Sequence, residues 1–525
     1  MTRTGARARG AAAVLLLALL TACTSTSPPP GGKDTRPPAP NGTLRVLASS
    51  ELADMKSVLD EAEKATGVRV ETTYAGTLDA VDQVASGRAG KHYDAVWLAS
   101  NDYLRLRPGI GGRITGETPL MTSPVALGVK PAVVARLGWK PAEVTWAQVH
   151  QAVAAGKLTY GMTDPARSNS GFAALVSVAS ALSGAQSALT DADVARATPK
   201  LKEFFAGQKL ISGSSGWLAS AYARRGTVDA LVNYESVLLS LNRDSGSGLT
   251  VIRPRDGVVT ADYPLTLLAT ASPAAKEAAG ALTRHLRSPA AQQEITERTL
   301  RRPVVPGVRP AAAIAADARR ELPFPGTRSV ADGLLHGYEN RLRRPSRTVY
   351  VLDTSGSMEG DRLARLKRTL TALTPDFRER EEVTLMPFGS RVKQVRTHRV
   401  EPGDPQHALT ALRADVAALS AQGDTAVFSS LQEAYEHLGP LDGSAFTSIV
   451  LMTDGENTTG ADASDFDGFY RALSADRRET PVFPILFGDS DRAELQHIAD
   501  LTGGRLFDAT HGSLDGAFEE IRGYQ

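Results

Sequence analysis

Cysteine is almost absent from this chain of 525 residues, which contains only Cys23. A chain with one cysteine makes no internal disulfide and offers no pair of thiols to a zinc or redox centre. An excess of one charge is also lacking, because 59 Lys and Arg residues face 58 Asp and Glu residues and leave a formal net charge of +1. Nucleic-acid-binding chains usually carry a clear basic excess, so the composition argues against nucleic acid as a partner.

Several catalytic motifs are missing as well. The sequence contains no Gly-rich phosphate loop with Lys and no His pair at the helical spacing that holds zinc, and its nine histidines are scattered. Ser and Asp near a metal can support phosphoryl transfer, but no general base accompanies them. We therefore expect a binding protein and not an enzyme.

Long apolar runs are lacking after Cys23. No later segment has about twenty consecutive apolar residues, the length that a membrane-spanning helix needs. We expect everything beyond Cys23 to be soluble and extracytoplasmic.

The first 23 residues have the pattern of an export signal. Arg3, Arg7 and Arg9 precede an apolar run at 11–20, and the letters LTAC end at Cys23. This pattern resembles a bacterial lipoprotein signal, and the resemblance implies that Cys23 receives a diacylglycerol group and becomes the mature N-terminus. An ordinary signal peptide with an incidental cysteine is the alternative. The lipoprotein interpretation predicts a lipid anchor on the extracytoplasmic face of the cell membrane.

Residues 24–42 are dominated by Pro, Ser, Thr and Gly. This composition cannot bury a core, so we expect a flexible tether that lifts the folded part off the membrane. The remaining length and an apolar fraction of 42% allow two or three globular domains.

Residues 43–302 alternate predicted strands and helices as βαβ units do. Two apolar segments far apart in sequence, 123–129 and 264–269, predict strands that cross between two lobes. This order resembles the periplasmic solute-binding proteins of ABC importers, particularly the oxyanion-binding branch, and implies a two-lobed α/β domain. The first predicted elements are strand 44–48, helix 52–66, strand 68–73, helix 78–86 and strand 93–99.

One motif in this domain points to a ligand. Residues 163–171 read TDPARSNSG and lead into a predicted helix at 172–182. A helix start exposes unpaired N–H groups and the positive end of the helix dipole, which can hold an anion. The alternative is that Ser170 caps its own helix. The ligand-binding candidates of this motif are Ser168, Asn169, Ser170 and Gly171, with Arg167 assisting.

Other strand-to-helix corners can line the same cleft. If Glu235 points inward, its charge would oppose an anion unless it were paired. The sequence does not distinguish a Tyr234 and a Glu235 that face the cleft from a buried tyrosine and a surface glutamate. The ligand therefore stays open among an anion, an amino acid, a peptide, a sugar and no small molecule. The candidates at these corners are Ser49, Ser50, Ser100, Asn101, Tyr234 and Glu235.

Residues 303–345 form a predicted linker that begins in extended conformation, because prolines punctuate its start. It then contains a helix at 330–342. A basic run follows, for which we consider contact with anionic lipid or cell-wall polymers and, as the more ordinary interpretation, a solvated linker face. The run consists of Arg341, Arg343, Arg344 and Arg347.

Residues 346–525 again alternate strand and helix, which predicts a doubly wound, mostly parallel sheet with helices on both faces. The helix at 362–373 carries leucines at helical spacing, which gives one apolar stripe to lay on that sheet. The other predicted elements are strands 383–388, 448–453, 482–487 and 505–507 and helices 429–438 and 495–501.

The strand at 350–353 runs into the loop DTSGS, which offers one carboxylate and two hydroxyls at alternate positions, Asp353, Ser355 and Ser357. Three oxygens from one loop can bind a hard divalent cation but leave it underligated. Thr425, in the loop GDTA, and Asp454, at the end of the next apolar strand, can complete the site, because such strand ends meet at one sheet edge. The alternative is that these residues only form turns and bind no metal.

These segments resemble the metal-ion-dependent adhesion site of von Willebrand factor type A domains. The resemblance implies that Ser355, Ser357 and Thr425 coordinate the ion through hydroxyls, while Asp353 and Asp454 act directly or through water. It also implies that an acidic residue of a partner protein fills the last coordination position. We expect Mg2+, with Mn2+ and Ca2+ as alternatives.

The sequence thus predicts a membrane-anchored binding protein that captures an acidic partner residue through its metal and carries a solute-binding-like module of unknown ligand. In one alternative, the solute-binding module serves an ABC importer and the metal domain is an accessory. In another, the metal domain serves an assembly machine with an ATPase partner, against which the lipoprotein signal argues.

Overall fold

The computed structural model describes residues 42–525, with the exception of 375–376, 489, 511–513, 523 and 525. The predicted signal peptide, the lipidation of Cys23 and the tether up to residue 41 lie outside the described residues. Within the described part of the chain, no helix has both the length and the apolar character that crossing a bilayer requires.

Strands are labelled in chain order. They are β1 (Gly42–Ser49), β2 (Val68–Ala75), β3 (Ala95–Trp97), β4 (Ile114–Pro119), β5 (Met121–Val129), β6 (Tyr160–Thr163), β7 (Gln208–Ser212), β8 (Ala230–Tyr234), β9 (Thr250–Ile252), β10 (Thr260–Ala261), β11 (Pro264–Leu268), β12 (Arg302–Pro303), β13 (Ser346–Asp353), β14 (Glu381–Phe388), β15 (Arg396–Val400), β16 (Phe446–Thr453), β17 (Val482–Leu486) and β18 (Phe507–Asp508).

The α-helices are α1 (Lys56–Thr66), α2 (Thr77–Ala85), α3 (Asp102–Arg105), α4 (Pro131–Arg136), α5 (Trp146–Ala154), α6 (Asn169–Ser183), α7 (Asp191–Ala206), α8 (Ser215–Arg225), α9 (Glu235–Ser245), α10 (Pro273–Leu286), α11 (Pro289–Thr299), α12 (Arg328–Gly337), α13 (Asp361–Leu373), α14 (Pro405–Ala418), α15 (Val427–Leu438), α16 (Ala463–Ala472), α17 (Ala475–Arg478), α18 (Arg492–Thr502) and α19 (Leu514–Arg522). Short 3-10 turns lie at Ser50–Met55, Ala89–Lys91, Ile110–Gly112 and Gly356–Met358, and a π-helical turn lies at Tyr338–Leu342.

The N-terminal domain has two lobes, each built on one mixed sheet. The first sheet has the order β2-β1-β3-β11-β4, and the second has the order β10-β5-β8-β6-β7. The chain passes from the first sheet to the second between β4 and β5, and it returns between β10 and β11. Both predicted crossing segments therefore form strands next to a lobe crossover, which confirms the two-lobed architecture.

The segment after β12 packs on the N-terminal domain instead of running free. Leu322 is buried in the core of that domain, and its N–H donates to the carbonyl of Val258 over 2.8 Å. Leu334 of α12 is buried in the same core, and the ring of Tyr338 meets the ring of Phe205 edge-on at 5.0 Å. The predicted helix at 330–342 exists as α12 followed by the π-helical turn, because its apolar side covers this core.

Both interpretations of the basic run are wrong for most of its members. Arg343 is buried and forms an ion pair with Glu381, while Arg347 forms one with Glu382 over 2.7 Å. The Arg344 guanidinium lies over the ring of Phe446, 4.7 Å from its centroid. These arginines stabilise the start of the C-terminal sheet, since buried cations require anionic or π partners.

The C-terminal domain is a six-stranded sheet in the order β15-β14-β13-β16-β17-β18, with β15 antiparallel to its neighbour and the other pairs parallel. Successive residues of β13 point to opposite faces. Tyr350 and Leu352 pack against α13, α14 and α19, whereas Val349 and Val351 pack against α15, α16 and α18. This arrangement confirms the predicted doubly wound fold; the edge strand β15 was not foreseen.

Candidate metal centre and interlobe cleft

The carboxylate of Asp353 is fixed at the end of β13. Its Oδ1 accepts the N–H of Ser355 over 2.8 Å, and its Oδ2 accepts the hydroxyl of Thr453 over 2.7 Å. Burial raises the pKa of Asp353, since it penalises the charged form, and the hydrogen bonds from Ser355 and Thr453 oppose this effect. Because β13 and β16 are parallel neighbours, their carboxyl ends bring Asp353 and Asp454 to one edge of the sheet.

Hydroxyl contacts connect the first loop of the site, which follows β13, to the third loop, which follows β16. The Ser355 and Ser357 hydroxyl oxygens are 2.9 Å apart, and the Ser357 hydroxyl donates to Oδ1 of Asp454 over 2.8 Å. A β-carbon placed on Gly455 would lie 3.7 Å from the hydroxyl oxygens of both Ser357 and Thr425. The five predicted metal ligands therefore lie around one corner of the sheet.

Backbone contacts hold the three loops together. The N–H of Gly356 donates to the carbonyl of Gly423 over 2.8 Å, which joins the first loop to the loop of Thr425. The N–H of Thr425 donates to the hydroxyl of Thr458 over 2.9 Å, which joins the second loop to the third. Ser357 is exposed while the two carboxylates are buried, so the corner opens to solvent at Ser357.

Three side chains at this corner were missed from the sequence. Thr453 orients Asp353, as described above. The Arg362 guanidinium donates to Oδ2 of Asp454 over 2.6 Å, and the Lys393 ammonium donates to the carbonyl of Thr354 over 2.6 Å. The position of Arg362 in the first turn of the helix after the loop is the signal that could have suggested its role.

The chemistry of the donors fits a hard cation. Among the described residues no group of three or more His, Cys, Asp and Glu side chains is clustered for a metal, and this corner offers two carboxylates and three hydroxyls instead. Such an oxygen-only set suits Mg2+ or Ca2+ better than zinc. The residues that would hold the ion are Asp353, Ser355, Ser357, Thr425 and Asp454, and the ion would supply a positive centre that attracts a carboxylate.

The TDPARSNSG motif forms a buried hydroxyl cluster at the start of α6. The Ser170 hydroxyl lies 2.8 Å from that of Thr163, 3.2 Å from that of Ser168 and 2.7 Å from that of Ser215, which begins α8. The helix starts at Asn169, so Ser168 and not Ser170 stands at its N-cap, and the Ser168 side chain caps no N–H. The capping alternative for Ser170 is therefore wrong.

The remaining residues of the motif have packing contacts. The Asn169 amide donates to the hydroxyl of Tyr234 over 3.0 Å. A β-carbon on Gly171 would lie 2.4 Å from the carbonyl oxygen of Thr163, so only glycine allows α6 to approach β6 this closely. Arg167 pairs with Asp79 of the other lobe over 3.2 Å. The motif thus joins the two lobes, and its contact with a ligand stays a prediction.

The other predicted cleft residues are mostly engaged with the protein. The Ser49 hydroxyl lies 2.8 Å from that of Thr77 and accepts the N–H of Ala99 over 3.0 Å. Ser100 accepts the N–H of Asp102 over 3.1 Å. The Asn101 amide donates to Thr266 and Glu117, over 2.7 and 2.8 Å.

Glu235 is buried between two arginines. Its carboxylate lies 3.2 Å from the guanidinium of Arg253 and 2.8 Å from that of Arg302. This pairing removes the conflict with an anion that an unpaired inward glutamate would cause, and its role in ligand binding stays a prediction.

Three hydroxyls at the boundary of the lobes are buried: those of Ser50, Ser214 and Tyr263. The Ser214 hydroxyl has no hydrogen-bond partner among the described residues, whereas Ser50 interacts with Glu51 and Tyr263 with Arg301. Ser50 begins the 3-10 turn after β1, Ser214 precedes α8 of the second lobe, and Tyr263 stands in the crossover before β11. A β-carbon on Gly216 of α8 would lie 3.9 Å from the Ser50 carbonyl, so these elements meet across the boundary. Buried donors without acceptors are unfavourable, and a ligand can satisfy them.

Family models match both parts of the chain. Residues 44–298 match the bacterial extracellular solute-binding protein model, and residues 349–520 match the von Willebrand factor type A domain model.

Protein relatives match over a limited length. Inter-alpha-trypsin inhibitor heavy chain H1 of Sus scrofa is 29% identical over 157 residues, which is 29% of this chain and 17% of that protein. The H1 chain of Mesocricetus auratus is 30% identical over 147 residues, 27% of this chain and 16% of that protein. The chain therefore spans less than a fifth of these relatives.

Solved structures match with low sequence identity and TM-scores below 0.5. The periplasmic binding protein AfuA of Actinobacillus pleuropneumoniae is 12% identical with a TM-score of 0.48, and the match covers 57% of this chain and 98% of that one. A von Willebrand factor type A protein of Catenulispora acidiphila is 18% identical with a TM-score of 0.29, covering 35% and 42%. The chain combines a bacterial extracellular solute-binding domain with a C-terminal von Willebrand factor type A domain.

Proposed function

We propose that the C-terminal domain captures an acidic residue of a partner protein through a divalent cation, preferably Mg2+. The observation that carries the proposal is the meeting of two buried carboxylates and three hydroxyls from separate loops at one corner of the sheet. Mg2+ is rarely caged by protein alone and keeps positions for other oxygen ligands. A carboxylate of a partner suits such a position because it brings both an oxygen donor and a negative charge.

The proposed location is the extracytoplasmic face of a bacterial membrane, with Cys23 as the lipid-anchored residue. The lipoprotein-like signal and the match to an extracellular solute-binding family both favour this location.

Replacing Asp353 by Ala tests the capture. We expect Asp353→Ala to abolish Mg2+-dependent crosslinking of the partner in intact cells, because the variant lacks a carboxylate that holds the ion or its water. Pull-downs from wild type and variant, each in magnesium and in EDTA, provide the measurement.

Asp442→Ala is the matched control, since Asp442 is exposed at the opposite end of the sheet. It should capture the partner as the wild type does. Equal yields from wild type and Asp353→Ala in both buffers would contradict the proposal.

A second candidate function is capture of a small solute for an ABC importer by the N-terminal domain. The buried Ser214 hydroxyl at the lobe boundary, which has no hydrogen-bond partner among the described residues, favours it. Three neighbouring strands of the second sheet, β6, β7 and β8, are followed by the helices α6, α8 and α9. The backbone N–H groups at the starts of these helices are suited to bind an anion.

Calorimetric titration with sulfate, phosphate and molybdate tests this candidate. We expect saturable heat with one of these anions and its loss in the double variant Ser50→Ala, Ser214→Ala, which removes two hydroxyl donors at the lobe boundary. The Ser183→Ala variant, at the far end of α6, should bind as the wild type does. Absence of saturable heat with all three anions would contradict an oxyanion solute.

A further inference from the structure

Both oxygens of the Asp454 carboxylate are engaged by other side chains. Oδ1 accepts the hydroxyl of Ser357 over 2.8 Å, and Oδ2 accepts the guanidinium of Arg362 over 2.6 Å. Asp454 itself is 1% exposed. A buried carboxylate requires a cationic or hydrogen-bonding partner, so Arg362 neutralises a charge that the site would otherwise leave to a metal ion.

We propose that Arg362 is a counter-ion of Asp454 that competes with the divalent cation for this carboxylate. The inference rests on the proposed function, because it concerns the ion on which capture depends. Arginine stays protonated in proteins, so a cation at this corner meets a permanent positive charge beside its ligand. The repulsion is strengthened by burial, because a low effective dielectric constant increases the interaction between charges.

The arginine is partly exposed to solvent, whereas the carboxylate is buried. The Arg362 side chain is 38% exposed and stands in the first turn of α13, directly after the turn at Gly360 with its φ of 85°. Asp454 follows β16 and is surrounded by protein. Exchange of the guanidinium for a metal ion therefore moves one long side chain toward solvent and leaves the strand end in place.

The neighbouring cation Lys393 has a different role. Its ammonium donates to the backbone carbonyls of Thr354 and Ser420, over 2.6 and 3.0 Å. These contacts join two loops and occupy no carboxylate oxygen of the metal corner. Of these two cations, Arg362 is the one that donates a hydrogen bond to a carboxylate of the predicted metal site.

The test is Mn2+ binding to the full chain, measured by electron paramagnetic resonance in the absence of any partner. We expect Arg362→Ala to bind Mn2+ about tenfold more tightly or better, the scale of one charge-assisted hydrogen bond. Arg362→Gln should also bind more tightly, because it keeps a donor without the charge, and Arg362→Lys should stay closer to the wild type. Arg368→Ala is the matched control, with the same change of charge at an exposed position of α13, and should bind within about twofold of the wild type.

Thermal unfolding provides a second readout that needs no partner. Without added metal, Arg362→Ala should melt at a lower temperature than the wild type, because Asp454 loses its cation. Saturating Mg2+ should raise the melting temperature of this variant more than that of the wild type. Unchanged or weaker Mn2+ binding in both Arg362→Ala and Arg362→Gln, with a wild type that binds, would overturn this inference alone. Absence of Mn2+ binding in wild type and variants would overturn it together with the proposed function.

Discussion

Single residues of the TDPARSNSG motif illustrate what sequence reasoning can and cannot assign. The residue types correctly placed a helix start after β6, but Ser170 lies one position inside the helix and not at its cap. Gly171 was assigned to anion binding through its backbone, whereas its visible role is steric. A glycine that permits close packing and one that exposes an N–H look the same in a sequence, because both require only the missing side chain.

Replacement of Gly171 by Ala adds only one methyl group but should destabilise the fold strongly. The added methyl group would lie 2.4 Å from the backbone carbonyl oxygen of Thr163 and 2.9 Å from the backbone nitrogen of Pro165, so α6 must shift. We expect a loss of about 1–3 kcal/mol in the free energy of unfolding, measured by urea denaturation. Gly280→Ala in α10 is the control, since its methyl group would lie 3.4 Å from the end of the flexible Arg284 side chain. It should be neutral or stabilise by up to about 1 kcal/mol, and equal losses in the two variants would contradict the steric role of Gly171.

At the scale of elements, the start of β14 joins the preceding segment to the last helix. Glu381 is buried and forms an ion pair with Arg343, from before β13, and a two-pronged one with Arg522 of α19, over 2.8 and 2.9 Å. Burial alone would raise the pKa of Glu381, but the charges of Arg522, Arg343 and Arg378 outweigh it and lower the pKa to about 2. Three separate parts of the chain thus depend on one carboxylate.

The lowered pKa of Glu381 predicts that the stability of the fold depends on pH in acid. The folded-state pKa lies below the ordinary value of 4.5, so the stabilisation is fully present above about pH 4.5 and is lost as the pH falls towards 2. Glu381→Gln should lower the free energy of unfolding at neutral pH by about 3–5 kcal/mol, because it leaves buried arginines without their anion, and should flatten the acid dependence in this window. Urea denaturation at several pH values measures both effects.

Glu382→Gln is the control at the next position. Its partners Arg347 and Arg399 are 27% and 71% exposed, so we expect a loss of no more than about 1 kcal/mol. An acid dependence that Glu381→Gln leaves unchanged would show that other carboxylates govern it.

The elements themselves were largely predictable because their apolar spacing is regular. The leucine stripe at 362–373 forms α13 within one residue, and the strand at 383–388 forms the last six residues of β14. The edge strand β15 was missed because its residues Arg396–Val400 are mostly exposed and polar, which gives no periodic signal. The basic run was misread for a related reason: burial of an arginine depends on anions such as Glu381, which lie far away in sequence.

At the scale of the whole molecule, the sequence predicted two domains but not how they meet. Helix α8 begins with Ser215 at the lobe boundary and contacts the C-terminal domain through Trp217 and Arg224. The Arg505 guanidinium lies 4.1 Å from the ring centroid of Trp217, and Arg224 donates to the carbonyl of Gly504 over 3.4 Å. Neither contact could be foreseen, because each joins residues at least 280 positions apart and follows no periodic pattern.

A second set of contacts starts from the other side of the same lobe. Arg378 of the C-terminal domain lies 2.6 Å from the carboxylate of Glu339 and 3.8 Å from that of Asp164, the second residue of the TDPARSNSG motif. Asp164, which directly follows β6, is therefore within electrostatic reach of the C-terminal domain.

These contacts have a mechanical consequence. The C-terminal domain is attached to the second lobe by side-chain contacts of Trp217, Arg224 and Arg378 as well as by the backbone connection. We therefore expect these contacts to restrict rotation of the C-terminal domain about that connection.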